Sequence, residues 1–251
     1  MLRRGPRDAR AGFGRAARHG RAGLGRVARD RPGPSTDRHA TGAPLRYPPC
    51  MQRYGPGTAL IVVDIQNDFA DPAGSLHVAG GEAIIATVNG EIEMAGNNGA
   101  LVVATQDWHP PSTPHFAKDG GIWPVHCVAG SWGAELHPDL ALPVVAPRVR
   151  KGIHGEDGYS GFTVRDPVSG DTIPTELEAL LRDARVERVV VVGLATDYCV
   201  KATALDAVRL GFETRVLTDA IAAVDLEPGD GERALDEMGA AGIAMWRTVM
   251  R

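Results

Sequence analysis

The run RVVVVGL at residues 188–194 is the most strongly β-branched stretch of this chain. A continuous apolar run of this length is typical of a strand that is buried on both faces of a parallel sheet. The residues that follow, ATDYCV at 195–200, lead into an amphipathic helix that we predict over 197–210 and that ends at Gly211. A buried strand followed directly by such a helix favours a parallel sheet that is covered by helices.

The same alternation extends along the chain on both sides of this stretch. We predict strands at 59–64, 100–105, 143–150, 213–218 and 242–248, and helices at 82–95, 175–185 and 230–239. Pro174 suits the first turn of the helix at 175–185, and Thr175-x-x-Glu178 resembles a capping box. An irregular segment rich in Pro, Gly, Trp and His occupies 107–143. The pattern predicts a three-layer α/β/α fold with a mostly parallel, Rossmann-like central sheet.

The composition separates residues 1–50 from the rest of the 251-residue chain. They contain 12 Arg, no Lys and 3 Asp, a net charge of +9, and show no recurring apolar period. Such a segment buries too little apolar surface to offset its chain entropy, so we expect a disordered Arg/Ala/Gly/Pro-rich extension. We interpret it as a translated leader, with Met51 as the true start. The alternatives are a genuine basic tail, which could bind nucleic acid, and a targeting segment.

Residues 51–251 have the opposite charge balance. They carry 15 basic and 28 acidic residues, a net charge of −13, which argues against a general nucleic-acid surface. About 200 residues suit one domain with a full core, and no stretch approaches the ~18 consecutive apolar residues of a membrane span. Three cysteines (Cys50, Cys127 and Cys199) are too few for a disulfide framework. The sequence therefore predicts one soluble, intracellular domain without a nucleic-acid or membrane partner.

Several reactive side chains follow the predicted strands. In a parallel α/β sheet the ligand lies beyond the carboxyl ends of the strands, where these side chains would converge. In strand order they are Asp64, Asp107 with His109, Lys151, and Cys199. This edge of the sheet is therefore the candidate active site.

Cys199, Asp64 and Lys151 suit nucleophilic catalysis. Cys199 lies in the first turn of a predicted helix, where free backbone N–H groups and the helix dipole stabilise a thiolate and could hold an oxyanion. Asp64 could accept the thiol proton and later return it to a leaving amine. Lys151 is one of three lysines beside 24 arginines, and it could pair compactly with a thiolate and a carboxylate. Taken singly, these residues could equally be a small buried apolar side chain, a loop cap and a solvated lysine.

A carboxylate and three imidazoles lie within 20 residues of one another and suit Zn²⁺, Fe²⁺ or Mn²⁺. They are Asp107, His109, His115 and His126. The prolines of this loop limit how its histidines approach a metal, although histidines on a surface loop are the alternative. We interpret Cys127 as buried packing and His137 as structural.

Together these residues resemble the nicotinamidase/pyrazinamidase branch of the isochorismatase-like cysteine hydrolases, from Thr58 to about Val249. Separated blocks in the same order carry the resemblance: IVVDIQNDF (61–69), GSLHVAGG (74–81), TQDWHP (105–110), WPVHC (123–127), KG (151–152), YSGF (159–162) and GLATDYCV (193–200). The resemblance implies an isochorismatase-like hydrolase domain over 51–251.

The resemblance also assigns roles. It implies that Cys199 is the nucleophile, Asp64 the proton shuttle and Lys151 the third member of the triad. The implied metal ligands are Asp107, His109 and His126, with His115 as a fourth that only some members have. The implied substrate contacts are Phe69, Trp123 and Tyr159 on the ring, and Ala195. The resemblance also implies a cis peptide bond between Leu194 and Ala195, which would point the N–H groups of Ala195 and Cys199 at the oxyanion.

The implied activity is hydrolysis of nicotinamide to nicotinate and ammonia through a thioester on Cys199, with pyrazinamide as a further substrate. One divalent metal ion (Zn, Fe or Mn) would bind and orient the ring of this small-molecule amide. Such an enzyme would act in NAD salvage in the cytoplasm, and a homo-oligomer is compatible with it.

Four alternatives differ from this interpretation. Isochorismatases cleave a vinyl ether without a cysteine nucleophile, and Cys199 argues against them. Amidases of carbamoyl or ureido compounds keep the Cys/Asp/Lys set but lack the metal set of Asp107, His109 and His126. A catalytically dead binding module is disfavoured because all three triad positions are filled. A metal hydrolase without covalent catalysis would keep its activity in Cys199→Ala.

Overall fold

The computed structural model describes residues 53–248. The predictions for residues 1–50, including Met51 as the true start, lie outside this range. The strands are β1 (Thr58–Val63), β2 (Leu101–Asp107), β3 (Arg148–Lys151), β4 (Thr163–Arg165), β5 (Thr172–Pro174), β6 (Arg188–Leu194), β7 (Glu213–Ala222) and β8 (Ala244–Trp246). The α-helices are α1 (Asn67–Ala70), α2 (Ile85–Asn97), α3 (Leu177–Asp183), α4 (Lys201–Arg209) and α5 (Asp230–Ala240).

Six strands form one sheet in the order β3-β2-β1-β6-β7-β8, and all neighbouring pairs are parallel. The chain builds the sheet from β1 outward to β3, then begins again with β6 on the other side of β1. The change of direction between β1 and β6 is the topological switch point at which α/β sheets bind ligands. The strands β4 and β5 form a separate antiparallel hairpin.

Both faces of this sheet are buried. Alternate residues of β1 point to opposite faces: Leu60 and Val62 pack in the core that includes the apolar side of α2. Ala59, Ile61 and Val63 pack in a second core, which contains buried residues of α3, α4 and α5. Helices on two faces of a parallel sheet confirm the predicted three-layer α/β/α fold. No helix within residues 53–248 is long and apolar enough to cross a membrane.

Gly193 lets the ends of β1 and β6 approach each other. Its φ is +114°, and a Cβ at this position would lie 2.1 Å from the carbonyl oxygen of Val63. Only glycine tolerates both this backbone conformation and this proximity. The close approach places the residues after β1 beside the residues after β6, where Asp64 and Cys199 lie.

The prediction of a strand over 143–150 is wrong for its first half. The strand β3 begins at Arg148, and residues 144–146 form a turn in which Val144 and Val145 are 96% and 90% exposed. The prolines at 143 and 147 explain the difference, because proline has no N–H to donate to a strand ladder.

The prediction for the helix at 175–185 is also partly wrong. Pro174 ends β5, and α3 begins at Leu177. The hydroxyl of Thr175 accepts a hydrogen bond from the Leu177 N–H at 3.2 Å, whereas Glu178 pairs with Arg182 instead of completing a capping box. The other predicted helices and strands are present with shifted ends, and the sequence analysis missed α1 and the β4–β5 hairpin.

Candidate active site

The carboxyl ends of four neighbouring strands meet at one edge of the sheet. Asp64 directly follows β1, Asp107 and Lys151 are the last residues of β2 and β3, and a π-helical turn (Thr196–Val200) follows β6. Cys199 is the fourth residue of that turn, and the first N–H groups of a helix have no acceptor within it. Parallel pairing therefore brings together side chains that are far apart in sequence. The backbone of Asp64 has a φ of +46°, which is uncommon for a residue other than glycine and is typical of functional sites.

Lys151 lies at the centre of the predicted triad. Its Nζ is 2.9 Å from Oδ2 of Asp64 and 3.6 Å from Sγ of Cys199, and it also donates to Oδ1 of Asp107. The exposed fractions of Lys151, Asp64 and Cys199 are 1%, 0% and 6%. The structure thus joins a thiol, an ammonium and two carboxylates in a site that is almost closed to water.

Burial and the neighbouring charges act in opposite directions on the pKa values of Cys199 and Lys151. Burial raises the pKa of the Cys199 thiol well above its ordinary value, although the Lys151 ammonium opposes that rise. Burial disfavours the charge on Lys151 as well, but the carboxylates of Asp107 and Asp64 outweigh it and hold the lysine pKa well above its usual range. The ammonium is therefore permanent at neutral pH.

The pKa values of the two carboxyl groups shift in opposite directions. Burial raises the pKa of Asp64 despite its contacts with Lys151 and Thr105. Burial acts in the same direction on Asp107, but Lys151 and His109 outweigh it and hold the pKa of Asp107 below its usual range. Environments that separate two carboxyl pKa values in this way assign them different tasks. Asp64 is suited to carry a proton, whereas Asp107 stays ionised.

Thr105 fixes the orientation of Asp64. Its hydroxyl donates to Oδ1 of Asp64 at 2.6 Å, which leaves Oδ2 facing Lys151. Thr105 lies in one of the sequence blocks that carry the resemblance, but the sequence analysis gave it no role. Its position two residues before Asp107 on β2 was the available signal.

Three histidines surround the outer side of Asp107. Ligand nitrogens of His109, His115 and His126 lie within 4.8 Å of one another. Oδ2 of Asp107 is 3.8 Å from Nε2 of His109 and 3.9 Å from Nε2 of His126. All four predicted metal ligands are therefore in one cluster, and Asp107 connects it to Lys151.

This cluster fits a divalent metal ion. Both ring nitrogens of His109 are buried and have no hydrogen-bond partner among residues 53–248, which is costly unless another group satisfies one of them. His126 donates from Nδ1 to the carbonyl oxygen of Pro124 at 2.7 Å, so its Nε2 carries no proton and can act as a ligand. Burial lowers the pKa of His126 to about 4, so its ring is neutral at physiological pH.

Gly152 makes room for this arrangement. A Cβ at this position would lie 2.5 Å from Nδ1 of His109, and the φ of Gly152 is +78°. The glycine after Lys151 therefore lets an imidazole pack directly on the backbone at the end of β3.

A pocket opens onto Cys199. All four predicted substrate-contact residues (Phe69, Trp123, Tyr159 and Ala195) line it, as do Asp107, His115 and His126. Asp64, Lys151 and His109 are not part of the lining. The sequence analysis missed the remaining lining residues, Leu76, Val78, Tyr198 and Val224.

One wall of the pocket is aromatic. The indole N–H of Trp123 donates to the hydroxyl of Tyr159 at 3.0 Å. The ring of Tyr198 meets both in edge-to-face contacts, with centroids 4.8 Å from Trp123 and 5.2 Å from Tyr159. Such a wall suits a flat, weakly polar ring. Tyr198 directly precedes Cys199, so its position was the signal that sequence reasoning left unused.

The structure also bears on the predictions for the Leu194–Ala195 peptide bond, Cys127 and His137. The peptide bond between Leu194 and Ala195 is cis. Cys127 is a buried, free cysteine whose N–H donates to Asp68 at 2.7 Å. His137 is buried and accepts a hydrogen bond from the Asp139 N–H at 3.2 Å, which is consistent with a structural role.

A three-layer α/β/α fold with a cysteine, a lysine and an aspartate at the carboxyl edge of its parallel sheet is the arrangement expected of a cysteine-dependent hydrolase. The isochorismatase domain family matches residues 58–248. The chain belongs to this family.

Named relatives cover most of the chain. The nicotinamidase of Escherichia coli (strain K12) is 38% identical over 207 residues, which are 76% of this chain and 95% of that protein. The nicotinamidase/pyrazinamidase of Mycobacterium tuberculosis (strain ATCC 25618 / H37Rv) is 40% identical over 190 residues, 74% of this chain and 97% of that protein. The pyrazinamidase of Pyrococcus horikoshii in complex with zinc is 44% identical, with a TM-score of 0.69 over 77% of this chain and 100% of that chain.

Proposed function

We propose that this chain is a nicotinamidase, which hydrolyses nicotinamide to nicotinate and ammonia with Cys199 as the covalent nucleophile. One observation carries the proposal: the buried ammonium of Lys151 contacts the carboxylate of Asp64 and the thiol of Cys199, and Cys199 lines a pocket with an aromatic wall. Nicotinamidases among the relatives and the family match support the same activity. Pyrazinamide is an amide of a similar flat ring, and we expect it to be a second substrate.

In the first half of the reaction, the Cys199 sulfur attacks the amide carbon while its proton moves to the Asp64 carboxylate. The N–H groups of Ala195 and Cys199 stabilise the oxyanion that forms. Asp64 then gives its proton to the amide nitrogen, the C–N bond breaks, and ammonia leaves a thioester on Cys199. The positive charge of Lys151 stabilises the Cys199 thiolate and opposes the rise in the pKa of Asp64 that burial causes.

In the second half, water attacks the thioester carbon while Asp64 accepts one of its protons. The tetrahedral intermediate collapses, the C–S bond breaks, and the Cys199 sulfur takes the proton back from Asp64. The product leaves as nicotinic acid, which gives its proton to the released ammonia in solution and becomes nicotinate, and the enzyme has regained its initial protonation. Each half uses Asp64 once as a base and once as an acid, which fits its raised pKa.

Asp107, His109, His115 and His126 would hold one divalent ion, which we propose to be zinc, iron or manganese. When bound, the ion supplies a positive charge that binds and orients the ring nitrogen of the substrate. Aromatic residues do the remaining positioning: Phe69, Trp123 and Tyr159 line the space that the ring would fill. This activity implies a place in NAD salvage, and we infer a cytoplasmic location.

The test is ammonia release from nicotinamide by the wild type, by Cys199→Ala and by Cys127→Ala, each with and without a chelator. Cys127 is the matched control because it is also buried and free but lies outside the triad. We expect Cys199→Ala to lose turnover and Cys127→Ala to keep it. Full activity of Cys199→Ala would instead support a metal hydrolase without covalent catalysis. If the folded, metal-loaded wild type releases no ammonia from nicotinamide, nicotinamide is not the substrate.

A further inference from the structure

Asp157 is a charged residue of the site that the proposed mechanism does not use. Its Oδ1 accepts hydrogen bonds from Nδ1 of His115 at 2.8 Å and from the Gly158 N–H at 2.9 Å. Its Oδ2 accepts from the guanidinium of Arg165 at 2.8 Å. Three donors thus converge on this carboxylate, and one of them belongs to a predicted metal ligand.

The backbone holds Asp157 in place. The main chains of Asp157 and Arg165 exchange two hydrogen bonds, with N···O distances of 2.8 and 2.5 Å, as in an antiparallel bridge. Arg165 is the last residue of β4, so the carboxylate is attached to the β4–β5 hairpin and not to a free loop. A carboxylate fixed in this way can determine the orientation of the imidazole that it contacts.

The contact also determines the tautomer of His115. An ionised carboxylate only accepts hydrogen bonds, so Nδ1 of His115 carries a proton. In the neutral ring, which is the form that binds a metal, Nε2 is then the nitrogen with a free lone pair. The ring of His115 is buried and lies 4.9 Å from that of His109 and 5.3 Å from that of His126, measured between centroids. One ring nitrogen of His115 lies within 4.8 Å of ligand nitrogens of His109 and His126. Because Asp157 occupies Nδ1, Nε2 is the nitrogen that His115 can offer to a metal ion.

We propose that Asp157 is a positioning residue for the metal site, which makes His115 its fourth protein ligand by fixing the orientation and tautomer of that ring. The inference rests on the metal site of the proposed function, but it requires no turnover. Pairing of a ligating histidine with a carboxylate also makes the ligand nitrogen more basic, which strengthens metal binding. The two residues are 42 positions apart, so no local sequence pattern indicates the pair.

The test is a double-mutant cycle on zinc affinity. The wild type, Asp157→Ala, His115→Ala and the double variant are stripped of metal, and the zinc Kd of each is measured by competition with a chromophoric chelator in the absence of substrate. We expect Asp157→Ala to weaken zinc binding about 10- to 100-fold. Because Asp157 acts through His115, the double variant should bind zinc as His115→Ala does.

Two further variants distinguish a loss of zinc affinity from a folding defect. Asp171→Ala removes a carboxylate that is exposed in the loop of the same hairpin, and its zinc affinity should be unchanged. Asp157→Asn keeps an acceptor oxygen, so we expect a smaller effect than in Asp157→Ala, and again none in the His115→Ala background. If Asp157→Ala does not fold, as judged by the thermal unfolding of the metal-free protein, the cycle with Asp157→Asn decides.

The visible spectrum of the cobalt-substituted protein gives an independent readout of coordination. Asp157→Ala should change the ligand-field bands in the same direction as His115→Ala. Unchanged zinc affinity of Asp157→Ala, additive losses in the double variant, or no zinc binding by the wild type would overturn the proposal. The wild type could bind zinc, and the double variant could bind it as His115→Ala does, while the wild type hydrolyses no nicotinamide. That result would refute the proposed function and leave this inference standing.

Discussion

Replacement of Lys151 by methionine tests the electrostatic core of the proposed mechanism. Methionine keeps most of the side-chain volume and removes the only ammonium that contacts Asp64 and Cys199 within residues 53–248. The perturbation is therefore a change of charge at nearly constant packing. We expect it to lower both the rate of the reaction and the stability of the metal-free protein.

The distances set the size of both effects. Two unit charges 3.6 Å apart, the separation of Lys151 Nζ and Cys199 Sγ, interact by about 4.6 kcal/mol at an effective dielectric constant of about 20. Because about 1.4 kcal/mol corresponds to a factor of ten, kcat/KM should fall on the order of 1,000-fold. Removal of one partner of a buried ion pair costs about 3–5 kcal/mol in the free energy of unfolding, since the carboxylates of Asp64 and Asp107 lose their counter-charge.

Three measurements check this expectation. Ammonia release gives kcat/KM, chemical denaturation of the metal-free protein gives the free energy of unfolding, and mass spectrometry follows the alkylation of Cys199 by iodoacetamide against pH. Without the ammonium the thiol pKa rises further, so the alkylation profile should shift to higher pH. Lys118→Met is the matched control, because Lys118 is an exposed lysine in a surface ion pair. A Lys151→Met protein within tenfold of the wild-type kcat/KM would refute the reasoning.

Three further substitutions give separate predictions. Gly152→Ala should cost about 1–2 kcal/mol of stability through its positive φ, as should Gly99→Ala, whose φ is also positive. Only Gly152→Ala should also weaken zinc binding in a chelator titration, because its Cβ would collide with a predicted metal ligand, and equal zinc affinities would contradict the site geometry. Tyr198→Ala should raise the KM for nicotinamide about tenfold with a smaller change in kcat, whereas Tyr198→Phe keeps the ring and should resemble the wild type. Glu91→Gln leaves the buried Arg53 guanidinium without its counter-charge and should lower the free energy of unfolding by about 3–5 kcal/mol in chemical denaturation; an unchanged value would show that the pair is solvated.

The sequence was sufficient to predict that Asp64, Lys151 and Cys199 meet at one edge of the sheet, because parallel strands align their carboxyl ends. Asp64 and the Cys199 turn follow strands that are recognisable by their own apolar residues, so locating β1 and β6 also located these side chains. Lys151 ends β3, in which Val149 is the one apolar residue. The aromatic wall was predicted only in part, because Tyr198 lies in a π-helical turn that no hydrophobic pattern indicates. The sequence also contained no indication of Asp157, because its proposed role depends on a contact with His115, which is 42 positions away.

The errors in the fold have a similar cause. Val144 and Val145 look like strand residues, but the prolines around them cannot join a ladder and the pair is exposed. The hairpin strands β4 and β5 are three residues each, too short for an alternating pattern to be recognised. Local sequence patterns predict the strands and helices whose own apolar residues are buried. Short or exposed segments, such as β4 and β5, depend on contacts with residues that are distant in sequence.

The position of Asp107 explains why the triad and the metal cluster are parts of one site. Its Oδ1 accepts a hydrogen bond from Lys151, and its Oδ2 faces His109 and His126. The Lys151 ammonium keeps this carboxylate ionised and so keeps it available as a ligand, but it also withdraws charge from a donor that a metal ion would share. Metal affinity and thiol reactivity therefore depend on the same ammonium, since Lys151 contacts Cys199 on its other side. A chain of contacts from thiol to lysine to carboxylate to imidazole therefore couples the two functions through the charges of Lys151 and Asp107.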